Sequence, residues 1–114
     1  MKVTYLIIFL LLFNNSYAQF GPQQIITTSA GGTEGVYSTD IDGDGDMDVL
    51  STSSNSIEWY ENIDGQGNIG SRQIIMSNEE GASSVYTTDI DDDGDIDVVS
   101  SSDVRIAWYE NTDG

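Results

Sequence analysis

The chain has 114 residues, with 20 acidic residues against three basic ones, and its formal net charge is −17 at pH 7. Such a charge repels nucleic acid and anionic membranes, so neither is expected as a partner. The sequence has no cysteine and no histidine, which excludes a disulfide framework and the familiar nucleophilic triads.

The N terminus is predicted to be a signal peptide covering residues 1–18. Lys2 precedes an almost continuous apolar run over residues 3–13, and the small residues Ser16 and Ala18 stand just before Gln19. The apolar run is too short to cross a bilayer, which needs ~20 residues. We therefore expect Sec-dependent export, cleavage after Ala18, and an extracellular or cell-surface location.

An internal repeat organises the remainder of the chain. The sequence aligns with itself without a gap at an offset of 49 residues, and the stretch WYEN occurs at both 59–62 and 108–111. The predicted organisation is an N-terminal segment at 19–34, a first repeat at 35–83 and an incomplete second repeat at 84–114.

Each repeat is predicted to consist of short antiparallel strands joined by turns. The predicted strands are 35–40, 48–53, 56–62 and 72–77 in the first repeat, and 84–89, 97–102 and 104–111 in the second. Four such strands in about 45 residues are typical of a β-propeller blade. The predicted fold class is therefore all-β, with two blades of an incomplete propeller.

The N-terminal segment contains residues 24–28, which match the fourth strand of the first repeat in sequence. In this interpretation they form a blade-closing strand. Because two blades span too little of a ring for the ends to meet, we expect either a piece of a longer propeller or a homo-oligomer closed through this strand.

An acidic loop joins the first two predicted strands of each repeat. DIDGDGDMD at 40–48 and DIDDDGDID at 89–97 hold eleven of the twenty acidic residues. Like charges this close repel unless a cation lies among them, and Ca²⁺ accepts six to eight oxygens at ~2.3–2.6 Å. Alternate residues of a curled loop point inward. The predicted ligands are Asp40, Asp42, Asp44, the Asp46 carbonyl and Asp48, and likewise Asp89, Asp91, Asp93, the Asp95 carbonyl and Asp97.

The acidic loops have two other interpretations. The first half of the motif matches an EF-hand loop, but that loop needs a glutamate at its twelfth position and helices on both sides. Ser51 and Ser100 occupy the twelfth positions, and the flanking residues have no helical period. The remaining alternative is a solvated acidic turn without metal.

The two acidic loops, each followed by WYEN, resemble the FG-GAP/VCBS-type repeats of secreted bacterial proteins. They are similar, more distantly, to the calcium-binding blades of the integrin α-subunit propeller. The resemblance implies that the aspartates named above bind Ca²⁺ between the first two strands of a blade. The Gly-Ala-Pro element of those blades is replaced here by the serine-rich stretches 51–53 and 100–102.

Several other side chains have two readings. Trp59 and Trp108 are predicted to pack on the buried side of the third strand with Ile57 and its counterpart, because residues i and i+2 share a face. The alternative is a sugar-stacking platform. For Glu58 and Glu61 the alternatives are an acid/base pair and solvated or edge charges. Residues three apart in a strand point to opposite faces, so the second is predicted.

The sequence predicts a secreted calcium-binding repeat module for adhesion, recognition or scaffolding, with no catalytic residues and with a protein or glycan ligand of unknown identity. The alternative is a part of an extracellular polysaccharide-acting lyase or hydrolase.

Overall fold

The computed structural model describes residues 20–114, so the predicted signal peptide lies outside the described residues. Within the described part, no helix is long and apolar enough to cross a membrane. The strands are β1 (Gly35–Thr39), β2 (Asp48–Thr52), β3 (Ser56–Tyr60), β4 (Gln73–Ser77), β5 (Ser84–Thr88), β6 (Asp97–Ser101) and β7 (Ile106–Tyr109). Each lies within a strand that the repeat pattern predicts.

The strands form two antiparallel sheets, with the orders β1-β2-β3-β4 and β5-β6-β7. This confirms the predicted all-β class and the four-stranded unit of the first repeat. The two sheets do not form a closed ring. Residues 20–34 contain no strand, and residues 23–27 instead line a cleft over the first sheet together with Val36, Val49 and Tyr60.

Each sheet has two faces, which we name by their residues. The tryptophan face consists of Tyr37, Leu50 and Trp59 in the first repeat and of Tyr86, Val99 and Trp108 in the second; these are neighbours across adjacent strands. The valine face consists of Val36, Val49 and Tyr60 in the first repeat and of Val85, Val98 and Tyr109 in the second. Successive strand residues point to opposite faces, so the two sets alternate.

The core lies where the tryptophan face of the first repeat meets the valine face of the second. Leu50, Ile57, Val85 and Val98 are buried in this cluster, and Trp59 packs against it. The predicted inward orientation of Ile57 and Trp59 agrees with this packing. For their counterparts the prediction is wrong, since Ile106 and Trp108 are exposed. On the tryptophan face of the second repeat, Tyr86 packs against the Tyr37 ring at a centroid distance of 5.6 Å, but Tyr86 itself is largely exposed.

Glu58 is the clearest error of the sequence interpretation, because it is buried and not solvated. Its carboxylate accepts hydrogen bonds from the hydroxyls of Ser56 (2.8 Å) and Tyr60 (2.7 Å) and forms an ion pair with Arg72 at 3.3 Å. Burial raises the pKa of Glu58, but the hydroxyls and the arginine outweigh it, so that the pKa lies below its ordinary value. β3 is an interior strand, and the N-terminal segment lies over its valine face, which is why a charge there needs partners.

We expect Ile57→Ala to lower the free energy of unfolding by about 2–5 kcal/mol, the usual range for truncating a fully buried isoleucine. Ile106→Ala is the matched control at the same position of the second repeat, where the side chain is 81% exposed, and it should change stability by less than about 0.5 kcal/mol. Urea unfolding in calcium buffer measures both. Equal effects would contradict the packing of the two sheets.

Glu58→Gln should destabilise the chain at neutral pH by about 1–3 kcal/mol, because a buried charged hydrogen-bond acceptor is lost. The folded pKa of Glu58 is depressed, so its stabilising effect is present above the ordinary glutamate pKa and is lost as pH falls through the depressed value. The difference between the two proteins should therefore shrink below about pH 4. The exposed Glu80→Gln serves as control, and a difference that stays constant from pH 7 to pH 3 would contradict the assignment.

Candidate metal centre

The acidic loops are the connections of two β-hairpins. The loop at 40–47 joins β1 to β2, and the loop at 89–96 joins β5 to β6. Antiparallel pairing places Thr39 opposite Asp48 and Thr88 opposite Asp97. The first and ninth residues of each acidic stretch are therefore brought together at the base of the loop by the sheet itself.

Three carboxylates converge in each loop. Asp40, Asp42 and Asp48 each offer one oxygen, and these oxygens all lie within 4.8 Å of one another. Asp89, Asp91 and Asp97 form the same group in the second loop. Oxygens that share one Ca²⁺ at ~2.3–2.6 Å can be separated by up to about 5 Å. The spacing of the first, third and ninth positions therefore suits a common divalent cation.

A glycine makes the sharp turn in each loop. Gly45 and Gly94 adopt φ angles of 97° and 103°, which a residue with a Cβ rarely adopts. Their backbone N–H groups turn back toward the base of the loop and donate hydrogen bonds to Asp40 Oδ2 and Asp89 Oδ2, each at 3.0 Å. The loop therefore curls around the carboxylates.

The ninth aspartate of each loop has a second, structural role that the sequence analysis missed. Asp48 and Asp97 are fully buried, and each accepts two backbone N–H hydrogen bonds. The donors are Ile41 (3.2 Å) and Asn62 (2.8 Å) for Asp48, and Ile90 (3.0 Å) and Asn111 (2.8 Å) for Asp97. The N–H groups of Asn111 and Ile90 hold the pKa of Asp97 below its ordinary value. Each carboxylate thus fastens its loop to the end of the third strand.

The fifth and seventh aspartates lie outside the two groups that the first, third and ninth aspartates form. The fifth residues accept a hydrogen bond from the backbone N–H of the seventh, at 2.8 Å for Asp44 and Asp46 and at 3.0 Å for Asp93 and Asp95. The Asp46 carboxylate lies against the backbone of Gly65. Its side chain is thus directed away from the group, which leaves its carbonyl as the atom that it could offer.

Glu110 is a candidate ligand that the sequence analysis did not select. Its carboxylate lies within 4.8 Å of those of Asp91 and Asp93 in an exposed acidic group. The sequence signal for Glu110 is its position directly before Asn111. The backbone N–H of Asn111 donates a hydrogen bond to Asp97, the ninth aspartate of the same loop. A residue there must lie beside the loop.

The electrostatics of the loops favour a bound cation. Burial raises the pKa of Asp42, and the charges of Asp48, Asp44 and Asp40 raise it further against the hydrogen bond from Asp44 N–H. Asp40 Oδ1 is buried and has no hydrogen-bond partner among the described residues. Neither of the two arginines in the described part neutralises this charge, because Arg72 pairs with the buried Glu58 and Arg105 with the buried Glu79. A hard cation with oxygen ligands fits this donor set.

The model of the FG-GAP-like repeat matches residues 40–100, which begin at the first aspartate of the first loop and end in β6. The matched stretch is more than half of the chain and contains both acidic loops. The chain belongs to the FG-GAP-like repeat family. No curated protein and no solved structure matches it. Membership confirms the resemblance to FG-GAP-type repeats. Both acidic loops of this FG-GAP-like chain lie within the matched residues.

Without calcium, mild acid should stabilise the chain. The pKa values of Asp42, Asp46 and Asp91 are raised above the ordinary 3.8, chiefly by partial burial and then by neighbouring aspartates. Because the folded pKa exceeds the unfolded one, the ionised groups destabilise the fold at neutral pH, and this penalty is lost as pH falls through the raised values.

Bound calcium should reverse this trend, because the ion needs ionised carboxylates and is released as they are protonated. Melting temperatures measured between pH 7 and pH 4, in chelator and in millimolar Ca²⁺, test both statements. Parallel pH trends in the two buffers would show that the loops do not hold the ion.

Proposed function

We propose that this FG-GAP-like chain is a secreted calcium-binding module in which each acidic loop holds one Ca²⁺. The observation that carries the proposal is the buried Asp40 Oδ1, which lacks a donor beside the converging Asp42 and Asp48 carboxylates. A buried ionised oxygen without a partner is strongly unfavourable. A cation in the group supplies the missing partner.

Calcium binding would act on the stability of the whole module. The ligands come from both ends of a hairpin loop, and Asp48 also bonds the end of β3 through Asn62 N–H. A ligand that binds only the folded state stabilises it by about 2.7 kcal/mol at 100 times its dissociation constant. In an extracellular compartment, where no disulfide is available to this chain, the ion would take over that stabilising role.

A binding or scaffolding role is proposed over catalysis because the buried glutamates pair with arginines and the clustered aspartates form candidate metal groups. Glu58 pairs with Arg72 and Glu79 pairs with Arg105 at 3.2 Å, and both glutamates are buried. In each acidic loop the first, third and ninth aspartates form the candidate metal group. Glycoside hydrolysis needs two carboxylates facing each other across a substrate groove. Of the three that line the cleft between the sheets, Asp42 belongs to the first candidate metal group and Glu110 to an acidic group of the second loop, which leaves Asp113.

One observation favours a glycan as the ligand, the second candidate that the sequence left open. A cleft of about 400 Å³ opens between the two sheets, beside the first acidic loop. Its lining combines Trp59 and Tyr109 with Asp42, Glu110 and Asp113. Aromatic rings next to hydrogen-bonding groups are typical of small-molecule sites. A glycan screen in calcium, repeated with Glu110→Gln, tests this candidate, and no glycan binding would remove it.

Isothermal titration calorimetry of the purified chain should give about two Ca²⁺ sites, with dissociation constants of about 10⁻⁵–10⁻³ M. Asp42→Ala and Asp91→Ala should each remove one site, because each deletes one member of a three-carboxylate group. Mg²⁺ should compete poorly, since it demands a tight octahedron and retains its waters. An absence of Ca²⁺ uptake at millimolar concentration would refute the proposal.

Asp92→Gly is the matched control for loss of charge. Asp92 stands where the first loop has Gly43, is exposed, and has a φ angle of 62° that favours glycine. The variant removes one carboxylate from the loop but none from the ligand group, so the number of sites should remain two. It should also stabilise the chain by up to about 1 kcal/mol through relief of the left-handed backbone. Loss of a site here would mean that net charge, and not ligand geometry, governs binding.

A further inference from the structure

The cleft between the two sheets offers many hydrogen-bond acceptors and carries negative charge. The carboxylates of Asp42, Glu110 and Asp113 line it, and no lysine or arginine of the described part does so. Both described arginines are engaged elsewhere, each in an ion pair with a buried glutamate. An ionised carboxylate only accepts hydrogen bonds. The cleft therefore suits an occupant that is positively charged and rich in donors.

Asn111 adds a further acceptor to the same cleft. Its side-chain N–H groups donate hydrogen bonds to the backbone carbonyls of Ile41 at 3.0 Å and Ile96 at 3.3 Å. Both of those residues also line the cleft. Because an asparagine amide has two N–H donors and one oxygen, the oxygen is the group that Asn111 retains for a ligand.

The charged groups lie at the mouth of the cleft, and apolar groups lie deeper. Glu110 and Asp113 are exposed, whereas Val98 is buried. Two half-buried aromatic rings also line the cleft, Trp59 from the first sheet and Tyr109 from the second. An aromatic face attracts a cation within ~6 Å of the ring centre. A ligand between the sheets can therefore contact aromatic rings and carboxylates at the same time.

We propose that this cleft binds a cationic amino sugar, a pyranose unit that carries a free ammonium group. An ammonium has three donors and no acceptor, and it forms charge-assisted hydrogen bonds with carboxylates such as those of Glu110 and Asp113. The ring hydroxyls are donors for Asn111 Oδ1, and the apolar faces of the ring pack against Trp59 and Tyr109. The inference rests on the glycan candidate of the proposed function and narrows it to one charge class.

Anionic and neutral sugars are poorer occupants of this cleft. A uronic acid would bring a carboxylate close to Glu110 and Asp113, and like charges repel. A neutral sugar lacks the charge that these carboxylates attract. The field of the whole chain acts in the same direction, since its formal net charge of −17 attracts cations and repels anions.

A lysine side chain of a partner protein carries the same ammonium group but fits the cleft less well. Its unbranched apolar stem has no donor for the Asn111 oxygen or for Asp42, which the first repeat contributes. The cleft volume of about 400 Å³ also lies within the ~300–1,000 Å³ of sites that enclose whole small molecules. A sugar, with donors around its ring, can bond to groups of both repeats at once.

Titration of the purified chain with three trisaccharides, made of glucosamine, N-acetylglucosamine and galacturonic acid, tests the inference. Mildly acidic buffer with millimolar Ca²⁺ keeps the carboxylates ionised and the amines protonated. The glucosamine trisaccharide should bind about tenfold more tightly than the other two, and added salt should weaken its binding. Equal or tighter binding of either other sugar overturns the inference and leaves the glycan candidate. Binding of none overturns both, whereas calcium uptake is measured separately without sugar.

Substitution of the cleft carboxylates locates the binding. Glu110→Gln and Asp113→Asn should each weaken binding of the glucosamine trisaccharide by about tenfold, because each removes one charge from the cleft. Glu61→Gln and Asp64→Asn are the matched controls at the same positions of the first repeat, where neither residue lines the cleft. They should leave the affinity within about twofold. An equal loss in the controls overturns the inference, because net charge and not the cleft then governs binding.

Two further measurements separate this site from the alternatives. Asp113 belongs to none of the candidate metal groups, so Asp113→Asn should leave the uptake of Ca²⁺ unchanged while it weakens sugar binding. Loss of calcium uptake in this variant overturns the assignment of Asp113 to a sugar site. A lysine tripeptide serves as the protein-like probe, and binding as tight as that of the glucosamine trisaccharide also overturns the inference, since the occupant is then a protein cation.

Discussion

A buried carboxylate held by two backbone N–H groups is the constraint on which each repeat depends. Asp48 is fully buried, so water does not satisfy its carboxylate. The backbone N–H groups of Ile41 and Asn62 donate the hydrogen bonds that replace hydration. This requirement fixes the start of the acidic loop and the end of the third strand relative to the second strand. Asp97 repeats the arrangement. The candidate metal group is therefore continuous with the hydrogen bonds of the sheet, and occupancy of the group and folding of the hairpin are expected to be coupled.

Charge is the second constraint, and it acts in the opposite direction. The two described arginines form ion pairs with Glu58 and Glu79, both buried. The loop aspartates therefore repel one another without a basic partner. A salt bridge is not available to relieve that repulsion within the loops. A cation bound in the loops, as proposed here, would relieve this repulsion in a chain that has no cysteine for a disulfide.

The repeat also shows that near-identical residues need not share an environment. Ile57 and Ile106 occupy the same position of the same strand pattern, yet one is in the core and the other is in water. The difference arises because the sheets stack in one direction, tryptophan face onto valine face. A stack of this kind always presents one face of each type outward. In this chain the N-terminal segment lies beside the outward valine face, where Tyr60 is buried but Val36 is 67% exposed, and the outward tryptophan face is open.

Local pattern was sufficient to predict the strands and the hairpin loops, because alternation and a glycine turn act between residues near in sequence. It also predicted that Asp44 joins Asp40, Asp42 and Asp48, whereas the group that the structure forms contains the other three only. The same pattern could not predict the burial of Glu58 or the exposure of Ile106. A period of two separates the faces of a strand but does not say what lies on each. That depends on packing between segments far apart in the chain: the N-terminal residues over Tyr60, and Asn111 against the Ile41 carbonyl. The sequence thus determined the repeating unit, and the tertiary structure decided which of its surfaces are buried. A surface of a strand is buried only when a second surface packs against it, and local pattern does not specify that second surface.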